Sequence, residues 1–420
     1  MKSQYAVFFI LALTIFCPVI DLSGHFINLA EFYVYFLFIM GLKKSLPVYS
    51  LKVLSVYFVA FFVVCVFTSI IAFKPINNYD VFILRNCAQL ICLLSVLYSR
   101  FITIQKECDN ESFHNFILQV FYLLSLPAVV VLLQRFDILH MRELVLWLYK
   151  PQFFFLDKQV FSEFRYTSIF KDFFTAGVYF IALTTGMFYF ALNARLAKLQ
   201  RMKVYILIFI IYLCQLFVSR TSLLIIPLNV VLILLFASSQ NFLSSLKRLF
   251  FLLIIVVPLF LALLSVFTKA NFIKGDWALE ALGLFSGNRN ALASSSSYLV
   301  MQEWNEKFFG YVLENPSILF IPNHDYDLKE ASSTGLYTDS FYAQEIYRYG
   351  IYGVLSYLYL VIFLLKKYFK KNKGLFIIVF SFVLLNYKGG NVFFMPKNIY
   401  LYAFIFSAFL VWDNRQQEQK

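Results

Sequence analysis

The sequence is dominated by long apolar runs separated by short polar connectors. About twelve runs occur, and most approach the roughly 20 residues that a helix needs to cross the hydrocarbon core of a bilayer. They lie at 5–20, 26–42, 53–73, 81–98, 114–134, 171–192, 204–218, 222–238, 249–268, 349–365, 375–388 and 399–412. The pattern predicts an all-α polytopic integral membrane protein with about twelve transmembrane helices.

Composition excludes the main soluble classes. Hydrophobic residues make up 61% of the chain and charged residues 14%, whereas an ordinary soluble domain has about 25% charged residues. A transmembrane barrel is excluded too, because its strands would read as alternating segments of about ten residues. Six cysteines show no metal-binding spacing and lie mostly in or beside apolar runs, so we expect packing residues without disulfides.

Lysine and arginine are divided unevenly between the two sets of connectors. The positive-inside rule assigns the richer set to the cytoplasm. That set contains Lys43, Lys44, Lys52, Arg100, Lys106, Arg195, Lys198, Arg201, Lys203, Lys247, Arg248 and the cluster at 366–373. Both termini are therefore predicted to be cytoplasmic. The net charge of +13 follows this division, and we expect no nucleic-acid partner.

This layout divides the chain into four parts. Residues 1–134 hold the N-terminal transmembrane helices, and 135–268 hold the central helices together with a first outer loop at 135–170. Residues 269–345 form the large outer loop, which is the main polar region of the sequence. Residues 346–420 hold the C-terminal helices and a cytoplasmic tail.

The outer loops carry more cations than orientation requires. Because guanidinium groups match phosphate oxygens in a bidentate geometry, an anionic ligand on the outer face would account for them, and so would lipid head groups. Arg85 is the one clear ionisable residue inside a predicted span. A charge there faces the bundle interior or a wet cavity, or else its side chain reaches the membrane surface.

Several segments together resemble one family. They are FRYTSIFKDFF at 164–174, VSRTSL at 218–223, FSGNR at 285–289 followed by Trp304, DSFY at 339–342 and YGIYGV at 349–354. In this order, on the predicted outer face, they resemble the bacterial O-antigen polymerases and O-antigen ligases. The chain departs from the family pattern where Ser168 and Phe173 replace the usual Gly and Pro, and where Asp339 replaces the usual His.

The resemblance implies a glycosyltransferase in the bacterial inner membrane, with the large outer loop in the periplasm. The implied donor is a glycan on undecaprenyl pyrophosphate, and the acceptor is a sugar hydroxyl of the next lipid-linked repeat unit. Membrane lipids and a separate chain-length regulator protein are the other expected partners. We expect no cofactor and no metal. The missing His favours a polymerase over a ligase.

The implied chemistry singles out two groups of residues. Fixed guanidinium groups would stabilise the departing pyrophosphate, and the candidates are Arg165, Arg220, Arg289 and Arg85. A general base would accept the proton of the acceptor hydroxyl, and the candidates are Asp339, Glu345 and His324.

Simpler explanations stay open for these residues and for the function. Each arginine could anchor a loop, an outer-loop acid could simply be solvated, and Glu345 with Arg348 at i and i+3 could form an ordinary helix pair. The alternative functions are an O-antigen ligase, which transfers the glycan to lipid A-core, and a polysaccharide or lipid transporter of the flippase kind. A transporter needs ionisable residues near mid-membrane, so Arg85 alone argues weakly for it.

Overall fold

In a computed structural model, the fold is helical apart from one short β-hairpin among the described residues. The described residues are 2–22, 25–41, 49–73, 76, 78–149, 166–170, 173–236, 312–320, 341–386, 392–395 and 397–418. The predicted span at 249–268 and most of the large outer loop lie outside them.

The first half of the chain contains seven described helices and the hairpin. They are α1 (Lys2–Phe16), β1 (Val19–Leu22), β2 (His25–Asn28), α2 (Leu29–Gly41), α3 (Tyr49–Ala72), α4 (Asn78–Glu107), α5 (Asn110–Leu124), α6 (Leu126–Phe136) and α7 (Met141–Tyr149). The strands are antiparallel, with Val19 opposite Asn28. Asp109 caps α5 by accepting from the Ser112 backbone N–H, which fixes the start of that helix.

The chain after residue 165 contains six further helices among the described residues. They are α8 (Phe173–Asn193), α9 (Lys198–Cys214), α10 (Arg220–Phe236), α11 (Phe341–Lys371), α12 (Lys373–Leu385) and α13 (Asn398–Glu418). Short 3₁₀ turns occur at Ile138–His140, Gln215–Phe217, Pro316–Leu319 and Val392–Phe394.

Six helical segments are long and apolar enough to cross a membrane. They are Leu51–Ile71, Tyr79–Glu107, Asn110–Phe136, Phe173–Asn193, Lys198–Phe217 and Gln344–Lys371. Five of the remaining predicted spans coincide with shorter apolar helices of 10–17 residues. The expectation of a helical protein with apolar helices long enough to cross a membrane is therefore confirmed, while the count of twelve spans and the periplasmic loop stay predictions.

Hydrogen bonds between distant parts of the chain distinguish two ends of the bundle. At one, Gln4 donates to Cys108 and Gln105 donates to the Val411 carbonyl oxygen. This end, which we call the basic end, holds the start of α1, the end of α13 and the connectors after α4, α8 and α11. The start of α1 and the end of α13 thus lie at the same end of the bundle, and the cytoplasmic location of this end stays a prediction.

The other end, which we call the Asp80 end, gathers the starts of α4, α8, α10, α11 and α13. The Asn86 amide donates to the Phe394 carbonyl oxygen at 2.7 Å, and the Asn398 amide donates to the Thr175 carbonyl oxygen at 3.1 Å. These bonds join α4, α8 and α13 where each begins. The outer segments predicted from sequence enter the bundle at this end.

Packing places α8 at the centre and α3 beside α4 and α11. Most of α8 is buried, and it contacts α9, α10, α12 and α13. The Asn229 amide donates to Thr185 at 2.8 Å and accepts from Ser381 at 2.7 Å, which ties α8, α10 and α12 together. All six cysteines are free thiols and five are buried, so the prediction of packing cysteines is confirmed.

Candidate functional site

Two of the seven predicted site residues have described side chains, Glu345 and Arg85. Arg220 opens α10, but its side chain lies outside the described part of the chain. The remaining predictions on Asp339, His324, Arg165 and Arg289 fall outside the described residues. The site is therefore built here from Glu345 and the residues around it.

Glu345 belongs to a helix and not to the end of a loop. The sequence placed the loop boundary at 345, but α11 begins at Phe341. Phe341 is buried and its N–H donates to the Asn386 carbonyl oxygen at 3.0 Å, which anchors the first turn to the end of α12. An apolar run does not mark this first turn, so the start of α11 could not be detected from the sequence.

Glu345, Arg348 and Tyr349 project from one face of α11, because residues three and four positions apart are neighbours on a helix. The structure buries all three, with Glu345 1% exposed and Arg348 7% exposed. Glu345 is therefore not a solvated acid, while an ordinary helix pair with Arg348 stays open.

Asp80 of α4 meets this face. The Tyr349 hydroxyl donates to Asp80 Oδ1, and the Asp80 side chain is fully buried. The Arg348 guanidinium carbon lies 3.7 Å from the centroid of the Tyr79 ring, a cation–π contact that holds the guanidinium group against α4. We call Tyr79, Asp80, Glu345, Arg348 and Tyr349 the Glu345 cluster. Sequence analysis missed Asp80, although an acid directly before an apolar run was a usable signal.

One carboxylate oxygen in the cluster is unsatisfied. Oε1 of Glu345 is buried and has no hydrogen-bond partner among the described residues. Arg348 attracts a charge on this carboxyl group and Asp80 repels it. A buried polar atom without a partner costs about 1–3 kcal/mol. An oxygen held in this state is suited to accept a proton or a hydrogen bond from a bound ligand.

Two glycines shape α11 beside the cluster. Gly350 has φ +62° and ψ −150°, and a Cβ there would lie 2.3 Å from the Leu319 carbonyl oxygen. The turn Pro316–Leu319 therefore rests directly on the backbone of α11. At Gly353, a Cβ would lie 2.8 Å from Tyr349 Cβ and 3.1 Å from Glu345 Oε2. Both glycines of the YGIYGV segment are thus required sterically, because a side chain at either position would displace a neighbour.

Aromatic rings of α3 pack against the Glu345 cluster. The Phe61 ring packs edge-on against Tyr349, with centroids 5.3 Å apart, and Tyr57 stacks on Phe61 at 5.7 Å. Tyr57 also stacks on Phe394 at 5.3 Å, which links this wall to the start of α13. The Glu345 cluster is therefore a polar group in an apolar surrounding of α3, α4, α11 and residues 312–320.

Arg85 lies at the same end of the bundle but on another face of α4. Asp80 and Arg85 are five residues apart, which separates them by about 140° around the helix axis. Arg85 Nη2 lies 3.4 Å from Glu31 Oε1 of α2, and its side chain is 40% exposed. Asp80, Glu345 and Arg348 also lie within candidate spans, so the statement that Arg85 is the one clear ionisable residue in a span was wrong.

Arg142, a cation of the first outer loop, has structural partners. Its guanidinium group donates to the carbonyl oxygens of Gln134 and Arg135 at 2.7 and 3.1 Å, and to the Tyr166 hydroxyl at 3.1 Å. It also stacks over the Tyr166 ring at 5.3 Å. For this residue, loop anchoring explains the cation without an anionic ligand.

Ser168 adopts the conformation that glycine favours. Its φ is +55°, and its N–H donates to Gln134 Oε1 at 2.9 Å while its hydroxyl donates to the Pro127 carbonyl oxygen at 2.7 Å. This left-handed backbone is unfavourable for a residue with a Cβ, and the two hydrogen bonds hold Ser168 in it.

No protein-family model matches the chain, and neither the curated proteins nor the solved structures include one with significant similarity to it. Among the described residues, no group of three His, Cys, Asp or Glu side chains could hold a metal ion.

Proposed function

We propose that this protein polymerises glycan repeat units at the outer face of the bacterial inner membrane. The donor would be a glycan on undecaprenyl pyrophosphate, and the acceptor would be a hydroxyl of the next lipid-linked unit. The observation that carries the proposal is the buried Glu345 carboxyl group, with its unsatisfied Oε1 beside Arg348. It lies at the end of the bundle that the predicted outer loops enter.

The two charges match the two needs of glycosyl transfer. The acceptor oxygen forms a bond to the anomeric carbon of the donor, and the bond from that carbon to the pyrophosphate oxygen breaks. The acceptor proton passes to Glu345, and the negative charge stays on the polyprenyl pyrophosphate. Arg348 is preorganised by the Tyr79 ring and offers a fixed positive charge to that leaving group. Asp339 and His324 stay rival bases, and Arg165, Arg220, Arg289 and Arg85 stay rival pyrophosphate ligands.

A proton-coupled transporter is the second candidate, because buried acids within membrane spans are typical of proton pathways. Asp80 and Glu345 are such acids. The position of these two acids along the helices argues against a transporter. Asp80 and Glu345 lie within about two turns of the starts of α4 and α11, near one end of the bundle, whereas transporter sites lie near the midplane.

The test is a lipopolysaccharide gel from a strain lacking the gene, complemented with wild-type protein or with variants of checked membrane abundance. Glu345→Gln removes the carboxylate at constant size. Glu314→Gln is the matched control, because Glu314 is an exposed acid in the segment that rests on α11. We expect loss of the ladder, with a single repeat unit left on the core, for the deletion and for Glu345→Gln, and a normal ladder for Glu314→Gln.

Other gel patterns would redirect the assignment. If even the single unit is lost while long lipid-linked chains accumulate, the protein is a ligase. An unchanged ladder in the deletion strain would remove the glycan proposal and leave the transporter. A full ladder with Glu345→Gln would remove Glu345 from the chemistry and return the role of base to Asp339 or His324.

A further inference from the structure

Lys397 is a buried cation at the Asp80 end, outside the Glu345 cluster. It directly precedes α13, its side chain is 3% exposed, and its φ is +63°. Lysine is almost never fully buried without a partner, and a left-handed backbone is unfavourable for any residue with a Cβ. The fold therefore holds this side chain in place at an energetic cost.

The surroundings of Lys397 satisfy it only in part. Nζ lies 4.1 Å from the centroid of the Tyr149 ring, and the Tyr149 hydroxyl donates to the Phe16 carbonyl oxygen at 2.7 Å, which fixes the ring. An ammonium group has three N–H donors, and a ring face replaces few of the hydrogen bonds that burial removes. Nζ has no hydrogen-bond acceptor within the part of the chain that the structure describes.

One further feature favours an anion at this position, and a second favours a hydroxyl group beside it. The 21-residue helix α13 begins at the next residue, so the positive end of its dipole lies beside Lys397. The neighbouring Asn398 Oδ1 is also buried without a partner among the described residues, and it can accept a hydrogen bond from a hydroxyl of a ligand. A cation would be repelled here by both the helix end and the lysine.

We infer that Lys397 binds a phosphate group of a ligand that enters between α1, α7 and the start of α13. Lysine binds phosphate as a point charge, and phosphate is the common anion at the surface of a membrane. The phosphate belongs either to an anionic phospholipid head group or to a free phosphate ion. The inference does not depend on the proposed glycan chemistry, because it concerns a different cluster of residues.

The experiment uses the full-length protein in a neutral detergent. Native mass spectrometry and thermal unfolding measure binding of phosphatidylglycerol, of inorganic phosphate and of diacylglycerol, which lacks the phosphate. Lys397→Met removes the charge, and Lys373→Met is the matched control, because Lys373 also lies over an aromatic ring, 3.6 Å from the Phe369 centroid, at the basic end. We expect at least tenfold weaker phosphatidylglycerol binding for Lys397→Met and no change for Lys373→Met.

Each outcome decides between support and rejection. Competition by inorganic phosphate identifies the phosphate alone as the ligand, and binding without such competition identifies the lipid head group. Equal binding of diacylglycerol, or wild-type affinity in Lys397→Met, overturns the inference. If Lys397→Met does not fold, a photoreactive phosphatidylglycerol on the wild-type protein replaces it. Cross-links to Tyr149 or to 397–418 support the site, and cross-links confined elsewhere reject it.

Discussion

Replacing Gly350 by alanine tests the contact that fixes α11 beside the Glu345 cluster. The backbone at Gly350 lies in a region that is essentially restricted to glycine, which costs about 1–3 kcal/mol for alanine. The new Cβ would also lie 2.3 Å from the Leu319 carbonyl oxygen, a backbone atom that cannot rotate away. Overpacking of this kind costs about 1–3 kcal/mol.

The two costs add to roughly 2–6 kcal/mol, from which the lower entropy of the unfolded alanine chain removes about 0.4–1 kcal/mol. We therefore expect Gly350→Ala to lower the free energy of unfolding by roughly 1–6 kcal/mol. Equilibrium unfolding in mixed detergent micelles measures this loss. Gly41→Ala is the control, because Gly41 has no described atom within 4 Å of the position of a Cβ, and it should change stability by under about 1 kcal/mol.

Gly353→Ala separates strain from contact. The only positive φ among described glycines is at Gly350, so alanine at 353 adds no backbone strain of that kind. The Cβ of an alanine at 353 would instead press on Tyr349 and Glu345. We therefore expect Gly353→Ala to reduce glycan polymerisation strongly and the free energy of unfolding only slightly. If Gly350→Ala proves as stable as Gly41→Ala, then Leu319 does not rest on α11, and the enclosure of the cluster by residues 312–320 is wrong.

Two further predictions concern charges at the Asp80 end. Burial lowers the pKa of Lys397 to about 7, while Cys17 and Tyr149 are the titratable groups that face it. Between pH 7 and the ordinary lysine pKa, Lys397 is protonated in the unfolded chain and largely neutral in the folded protein. Because the unfolded chain binds more protons in this window, the free energy of unfolding should rise with pH there. Lys397→Met should abolish the rise in a pH series of unfolding curves, and an unchanged rise would assign it to another group. For Arg85 and Glu31, partial exposure predicts a coupling energy of at most about 1 kcal/mol in a double-mutant cycle, reduced by salt. A coupling energy of several kcal/mol would show that water is excluded from the Arg85–Glu31 pair.

The helical architecture could be predicted from the apolar runs, because backbone groups inside a membrane must be satisfied within helices. Each predicted span in the described part of the chain coincides with a helix. The starts of α4 and α11 could not be predicted in the same way, because their first turns are polar and yet buried. Asp80 and Arg348 therefore seemed to lie in connectors.

The candidate site was predictable only in fragments. Glu345 and the segment at 349–354 were found from sequence, because an acid and two glycines have recognisable chemistry. The hydrogen bond between Tyr349 and Asp80 depends on contact between α11 and α4, and the two residues are 269 positions apart in the sequence. Lys397 was missed for another reason, since a lysine in a short connector is ordinarily a solvated charge, and only packing against Tyr149 reveals its burial.

The charge count of the Glu345 cluster gives a last prediction, which separates function from stability. Among the described residues the cluster holds two acids, Asp80 and Glu345, and one cation, Arg348, so full ionisation leaves one net negative charge. Glu345→Gln makes the cluster neutral, and stability should be unchanged or higher while glycan polymerisation is lost. Arg348→Met leaves two buried acids without their cation and should cost about 3–5 kcal/mol. Equilibrium unfolding of both variants measures these two changes in stability. A reversed order of stability would mean that Glu345 serves mainly to hold α11 in place, and the proposal would then lose its base.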